Sequence, residues 1–133
     1  MDFPLDMHKN AFKASVAGLC AGDQGKFWEM SDKFFDNPTN NPTWLEPENI
    51  LKLAEGLGLN MTKFKECQAG GKHDAEIKAR TAEGQKTGIS GTPSFLLGFI
   101  QPDGTVKATK KMVGASPYPT FKAAIDELLS AGK

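Results

Sequence analysis

One stretch narrows the folding choices more than any other: Gly88-Ile89-Ser90-Gly91-Thr92-Pro93-Ser94-Phe95 runs straight into the apolar segment Leu96-Leu97-Gly98-Phe99-Ile100. Proline has no backbone N–H. At the mouth of an apolar strand it leaves a ladder bond unmade, so it belongs at an edge, at a strand start or in a cis turn. Taken alone, the stretch also fits an ordinary trans proline opening a strand. Gln101-Pro102-Asp103-Gly104 then reads as a turn, because Pro presets φ and Gly accepts positive φ. Residues 105–113 return as a second strand, which makes a hairpin.

Upstream the period changes from two to 3.6. Residues 8–21 place Phe12, Val16, Leu19 and Cys20 on one helical face, and Gly22-Asp23 interrupts them. A second helix over 24–35 carries Phe27, Met30 and Phe34 on one stripe. Its aromatic group, Phe27, Trp28, Phe34 and Phe35 with Trp44, is expected to be core rather than a ligand groove. Residues 37–42, rich in Asn and Pro, form a loop by composition. Pro47 suits the first position of a third helix burying Ile50, Leu51, Ala54 and Leu57, with Gly58 as a left-handed cap. Asn60 reads as the N-cap of a helix with Met61, Phe64 and Cys67, closed by Gly70-Gly71. Residues 74–86 give a largely exposed helix anchored by Ile77 and stopped by Gly88. After Ser116-Pro117 a last helix is expected to bury Phe121, Ile125, Leu128 and Leu129.

Composition mainly excludes. The 133 residues fit a single compact unit, with 39% hydrophobic residues allowing a modest core. Lys+Arg and Asp+Glu balance at 16 each, leaving no electrostatic footprint for nucleic acid. No apolar run approaches the roughly 20 residues a membrane span requires. The first residues, Met1-Asp2-Phe3-Pro4, show no signal-peptide pattern. Cys20 and Cys67 match neither a Cys-x-x-C redox pair nor a zinc spacing, and each reads as a small apolar residue on its helix's inner face. His8 and His73 have no cysteine or carboxylate cluster near them in sequence, so both are expected to be surface or helix-end residues. No metal or cofactor is expected. Lys72, Lys78, Arg80, Lys86, Lys107, Lys110 and Lys111 read as solvated surface.

Asp2-Phe3-Pro4-Leu5, His8 and the run Leu19-Cys20-Ala21-Gly22-Asp23-Gln24-Gly25-Lys26-Phe27-Trp28 resemble the DsbA-like branch of the thioredoxin superfamily. Phe64-Lys65-Glu66-Cys67, the Gly-Ile-Ser-Gly-Thr-Pro-Ser-Phe stretch and Val113 to Pro117 follow in that family's order. The resemblance implies a truncated thioredoxin-like α/β fold, with residues 1–88 as a helical insertion region. Residues 89–133 would be the C-terminal part of the thioredoxin-like domain: cis-Pro93, hairpin and terminal helix. Family members open with a strand, a Cys-x-x-C turn and a helix, and these are not found among the 133 residues.

The resemblance also sets functional expectations. Thr92 and Pro93 would form a shelf that pairs an extended substrate segment as an added strand. Cys20 and Cys67 would either remain thiols or form the second, structural bridge that some members carry in the helical region. The full family activity is protein thiol:disulfide exchange. Lacking Cys-x-x-C, this chain is expected to have no catalytic residue and no redox turnover. The alternatives are a non-catalytic peptide-binding or chaperone-like module, and a kappa-type isomerase or glutathione-dependent relative. Expected partners are cysteine-bearing proteins or peptides, with no nucleic acid and no membrane insertion. A homodimer through the incomplete sheet is expected, as is a periplasmic or otherwise extracytoplasmic location.

Overall fold

A computed structural model describes residues 2–36 and 44–131. The loop expected over 37–42 lies outside the described residues. The elements run α1 (Ala11–Gly22), α2 (Phe27–Phe35), α3 (Pro47–Gly56), α4 (Met61–Ala69), α5 (Asp74–Lys86), β1 (Ser94–Ile100), β2 (Val106–Val113) and α6 (Tyr118–Ala131). They fall into two compact units, Met1–Thr87 and Gly88–Lys133.

The first unit is built around α1. Ala14, Val16, Ala17, Gly18, Cys20 and Ala21 are all buried there. Small side chains let neighbouring helices approach closely, and α2, α3, α4 and α5 all contact this helix. Met30 from α2, Ile50 and Ala54 from α3, Phe64 from α4 and Ile77 from α5 complete the core. Local chemistry sets the boundaries. Pro47 opens α3, and Gly58 and Gly71 take positive φ where the chain must turn. The Asn60 carboxamide accepts the Lys63 amide at 3.0 Å to cap α4.

The Gln24-Gly25-Lys26 segment gains a physical meaning here. Gln24 Nε2 donates to the Asn60 carbonyl at 3.3 Å, and the Asn60 amide donates to Gln24 Oε1 at 2.8 Å. This reciprocal clasp fixes the start of α4 to the end of α1. Lys26 pairs with Glu29 at 2.8 Å in the first turn of α2.

Two packing expectations need correction. Trp28 and Phe35 are exposed, whereas Phe27 and Phe34 are half-buried. Met30 is the only buried residue of α2, so the helix turns one narrow stripe inward and leaves its flanking aromatics outside. Trp44 is half-buried, its indole N–H donating to the Lys33 carbonyl at 3.0 Å.

The second unit pairs β1 with β2 in antiparallel register, Ser94 facing Val113 and Ile100 facing Val106. A bulge follows Leu97, where Leu97 faces Lys110 but Gly98 faces Ala108, leaving Thr109 as the extra residue. Gly98 is required by crowding: a Cβ there would lie 2.7 Å from Ala108 Cα and strike the Lys107 carbonyl. Phe95 and Phe121 meet edge to face at 4.8 Å, and Lys110 pairs with Glu127. The stripe expected on the last helix is only partly enclosed. Ala124 is buried and Phe121 and Leu128 are half-buried, but Ile125 and Leu129 are exposed. A two-stranded sheet is too narrow to cover so wide an apolar face.

Candidate functional site

Two places gather chemistry, one in each unit. In the second unit, Thr92 and Pro93 are both exposed at the head of β1, and the peptide bond between them is cis. The Pro93 carbonyl accepts the Gly114 amide at 2.8 Å, which closes the base of the hairpin. The Ser94 hydroxyl donates to the Gly91 carbonyl at 2.7 Å and fixes the approach. No hydrogen bond from Thr92 to another described residue is present. Among the described residues β1 pairs only with β2, so its other edge presents unmade main-chain donors and acceptors.

In the first unit, Cys20 of α1 and Cys67 of α4 form a disulfide, with S–S 2.03 Å and Cα–Cα 5.9 Å. No free cysteine remains. Cys20 is buried and Cys67 is half-buried. A set of ionic side chains closes over the half-buried sulfur. Asp23 Oδ2 lies 3.6 Å from Cys67 Sγ, a contact only, since a disulfide sulfur has no proton to donate. The same oxygen accepts Lys72 Nζ at 2.8 Å and lies 2.9 Å from His73 Nε2. The other ring nitrogen, Nδ1, is 3.2 Å from Glu76 Oε2. Arg80 extends the chain of charges, bonding Glu76 Oε1 at 2.5 Å and Asp2 Oδ2 at 2.7 Å.

These neighbours fix the electrostatics. Asp23 is held below its ordinary value of 3.8, first by the Lys72 hydrogen bond and then by that of His73, against a smaller opposing effect of burial. His73 stands at a helix end, as the N-cap of α5, but is buried rather than at the surface. One of its ring nitrogens and the two sulfurs lie within 4.8 Å of one another, the one such gathering of three His, Cys, Asp or Glu ligand atoms among the described residues. Sequence reasoning missed this because the partners are far apart along the chain. Asp23 precedes His73 by 50 residues, and only the turn at Gly70-Gly71 folds the histidine back onto the bridge. The sole local signal was Glu76, three positions after His73 and at the start of a helix.

The chain matches the family model described as DSBA-like thioredoxin domain over residues 1–126. It is similar to three curated sodium–proton antiporters. The first, Na(+)/H(+) antiporter NhaA 1 of Salinispora arenicola, is 34% identical over 92 residues, covering 69% of this chain and 14% of the antiporter. NhaA 3 of Salinispora tropica is 32% identical over the same coverage. NhaA 1 of Mycolicibacterium vanbaalenii is 28% identical over 107 residues, covering 77% of this chain and 16% of that protein. The chain therefore spans about a seventh of the length of the curated relatives it matches. No solved structure matches it. No helix among the described residues is long and apolar enough to cross a membrane.

Proposed function

The chain belongs to the DSBA-like thioredoxin domain family, and from that we propose that it is the substrate-holding portion of a disulfide oxidoreductase module. The exposed Thr92–Pro93 step at the head of an edge strand carries this reading. An extended, cysteine-bearing peptide laid beside β1 would pair with its free main-chain groups and be held as an added strand. Exchange chemistry needs an accessible thiolate of lowered pKa. Both cysteines here are bonded to each other and one is buried. On this reading the 133 residues alone bind substrate without turning it over. A disulfide-bonded helical unit suits an oxidising, extracytoplasmic compartment.

Two assays run side by side test the proposal. Insulin reduction is expected to show no turnover above the uncatalysed rate, while a labelled extended peptide binds. Thr92→Pro deletes an amide donor that no described residue uses, and is expected to weaken that binding by about tenfold, one hydrogen bond's worth. Turnover in the first assay, or unchanged affinity in the second, overturns it.

The apolar side chains left exposed on the hairpin, Ile100 and Val106, and on α6, Ile125 and Leu129, are covered, on this proposal, by a second copy of the chain. Leu129→Glu is then expected to convert a dimer to a monomer in light scattering. A wild-type monomer at high concentration removes the dimer.

A second reading rests on the antiporter relatives: the domain is one part of a longer transporter-linked protein. Genomic DNA translated in frame upstream of Met1 separates the two. A strand with Cys-x-x-C favours the oxidoreductase, and a series of apolar membrane-spanning segments favours the transporter.

A further inference from the structure

We propose that, once its disulfide is reduced, the first unit binds Zn2+ through Cys20, Cys67 and His73, so that a metal replaces the covalent tie between α1 and α4. The three donors already converge: their ligand atoms lie within 4.8 Å of one another. A tetrahedral zinc site with the usual bond lengths needs donor–donor separations of roughly 3.5–3.8 Å. The required movement is a side-chain adjustment within an assembled pocket.

The surroundings have the second layer that zinc histidines use. Glu76 Oε2 stands 3.2 Å from His73 Nδ1, where it would hold a proton on that nitrogen once the metal takes the place of the Nε2 contact with Asp23. Arg80 fixes Glu76 at 2.5 Å and is itself fixed by Asp2 at 2.7 Å, so the orienting carboxylate is not free to swing. Asp23 Oδ2, touching both Nε2 and Cys67 Sγ, is the nearest fourth donor. A cleft of about 370 Å³, lined by Gly22, Asp23, His73, Glu76 and Arg80 among others, opens beside the cluster and gives an ion its way in.

The chemistry balances with a dithiol as reductant. Its thiolate attacks the half-buried Cys67 sulfur, and Cys20 leaves. The donor's second thiol then displaces Cys67 and closes the donor's own disulfide. One S–S bond breaks in the protein and one forms in the donor, and two electrons and two protons pass to Cys20 and Cys67. Zinc binding then forms two Zn–S bonds and releases the two thiol protons. The helical unit thereby keeps a cross-link in both oxidising and reducing surroundings.

The full chain, reduced anaerobically with a trialkylphosphine and separated from it, is titrated with Co2+ and then with competing Zn2+. The expected result is one Co2+ per chain, with a near-ultraviolet thiolate-to-cobalt band, the intense visible bands of a tetrahedral site, and displacement by Zn2+. The disulfide form is expected to give neither band. His73→Asn is expected to weaken binding by at least about tenfold and Glu76→Gln by about 10–100-fold, with His8→Asn unchanged. Circular dichroism of each metal-loaded variant confirms a helical unit, and a metal-free reduced wild type that has unfolded is expected to regain helix on adding Zn2+. Equal binding by the disulfide form, equal effects of the two histidine substitutions, or absence of thiolate–cobalt absorption overturns the proposal.

Discussion

The two units draw on similar apolar residues and enclose them very differently. In the first, Phe64, Met30, Ile50 and Ile77 are fully buried around the small-residue helix α1. In the second, Ile100, Val106, Val113 and Leu129 are exposed, and only Met112 and Ala124 are buried among its described residues. The difference lies in the number of partners each element has. A central helix with four neighbours is apolar on nearly every side because nearly every side is covered. A hairpin has two faces, and one helix covers at most one of them. Thus the first unit encloses its own core, while the second leaves apolar surface and a strand edge exposed among its described residues.

The sharpest test of that contrast compares Phe64→Ala with Leu129→Ala. The first removes a fully buried ring and is expected to cost about 3–5 kcal/mol in chemical denaturation. The second trims an exposed side chain and is expected to stay within about 0.5 kcal/mol in the monomer. Similar losses at both sites would erase the distinction.

Removing the bridge by the paired change Cys20→Ala and Cys67→Ala comes next. With the cysteines 47 positions apart, the chain-entropy account gives about 4 kcal/mol as a ceiling, reduced by any structure remaining in the unfolded chain. Denaturation followed by helical circular dichroism measures it. A loss under about 1 kcal/mol would mean that packing alone secures α1 against α4.

Gly98→Ala probes the second unit by backbone crowding. The added methyl meets the Lys107 carbonyl and Ala108 Cα, so the bulge must open at a cost of about 1–3 kcal/mol. Amide exchange in β1 and β2 is expected to accelerate while α1 and α4 are unaffected. Faster exchange in α1 would show that the units do not respond separately.

The smallest effect concerns acid. Because Lys72 and His73 hold Asp23 below its ordinary value, its contribution is complete above the unfolded carboxylate value of about 3.9 and is lost as pH falls through the lower folded value. Wild type is therefore expected to lose more stability than Asp23→Asn on acidification below about pH 4. Lys72, His73 and Glu76 stay in place in both proteins. Parallel acid profiles would remove Asp23 from the account.

Much of the helical order was legible because it is written in short-range chemistry. Pro47, Asn60, Gly58 and Gly88 each mark an end by a local backbone requirement, and the structure starts or stops helices beside them. The hairpin was legible for the same reason, through Pro102 and Gly104. Exposure was less so. The pattern of α6 makes Ile125 and Leu129 look like core, because periodicity records which residues share a face and not whether anything covers it. The ionic cluster was the least legible part. Asp23, Cys67 and the adjacent pair Lys72-His73 come from different parts of the chain, and no spacing rule joins them before the helices pack.

Helix α4 is fastened to its neighbour twice, by the Gln24–Asn60 clasp at its first turn and by the Cys67 bridge at its last. Two anchors on one rod prevent both sliding and rotation. Cutting the covalent anchor leaves the other as a fulcrum, so any loosening grows along the rod and is greatest at the end that carries Cys67. A redox event there would be felt as a swing rather than as a general softening.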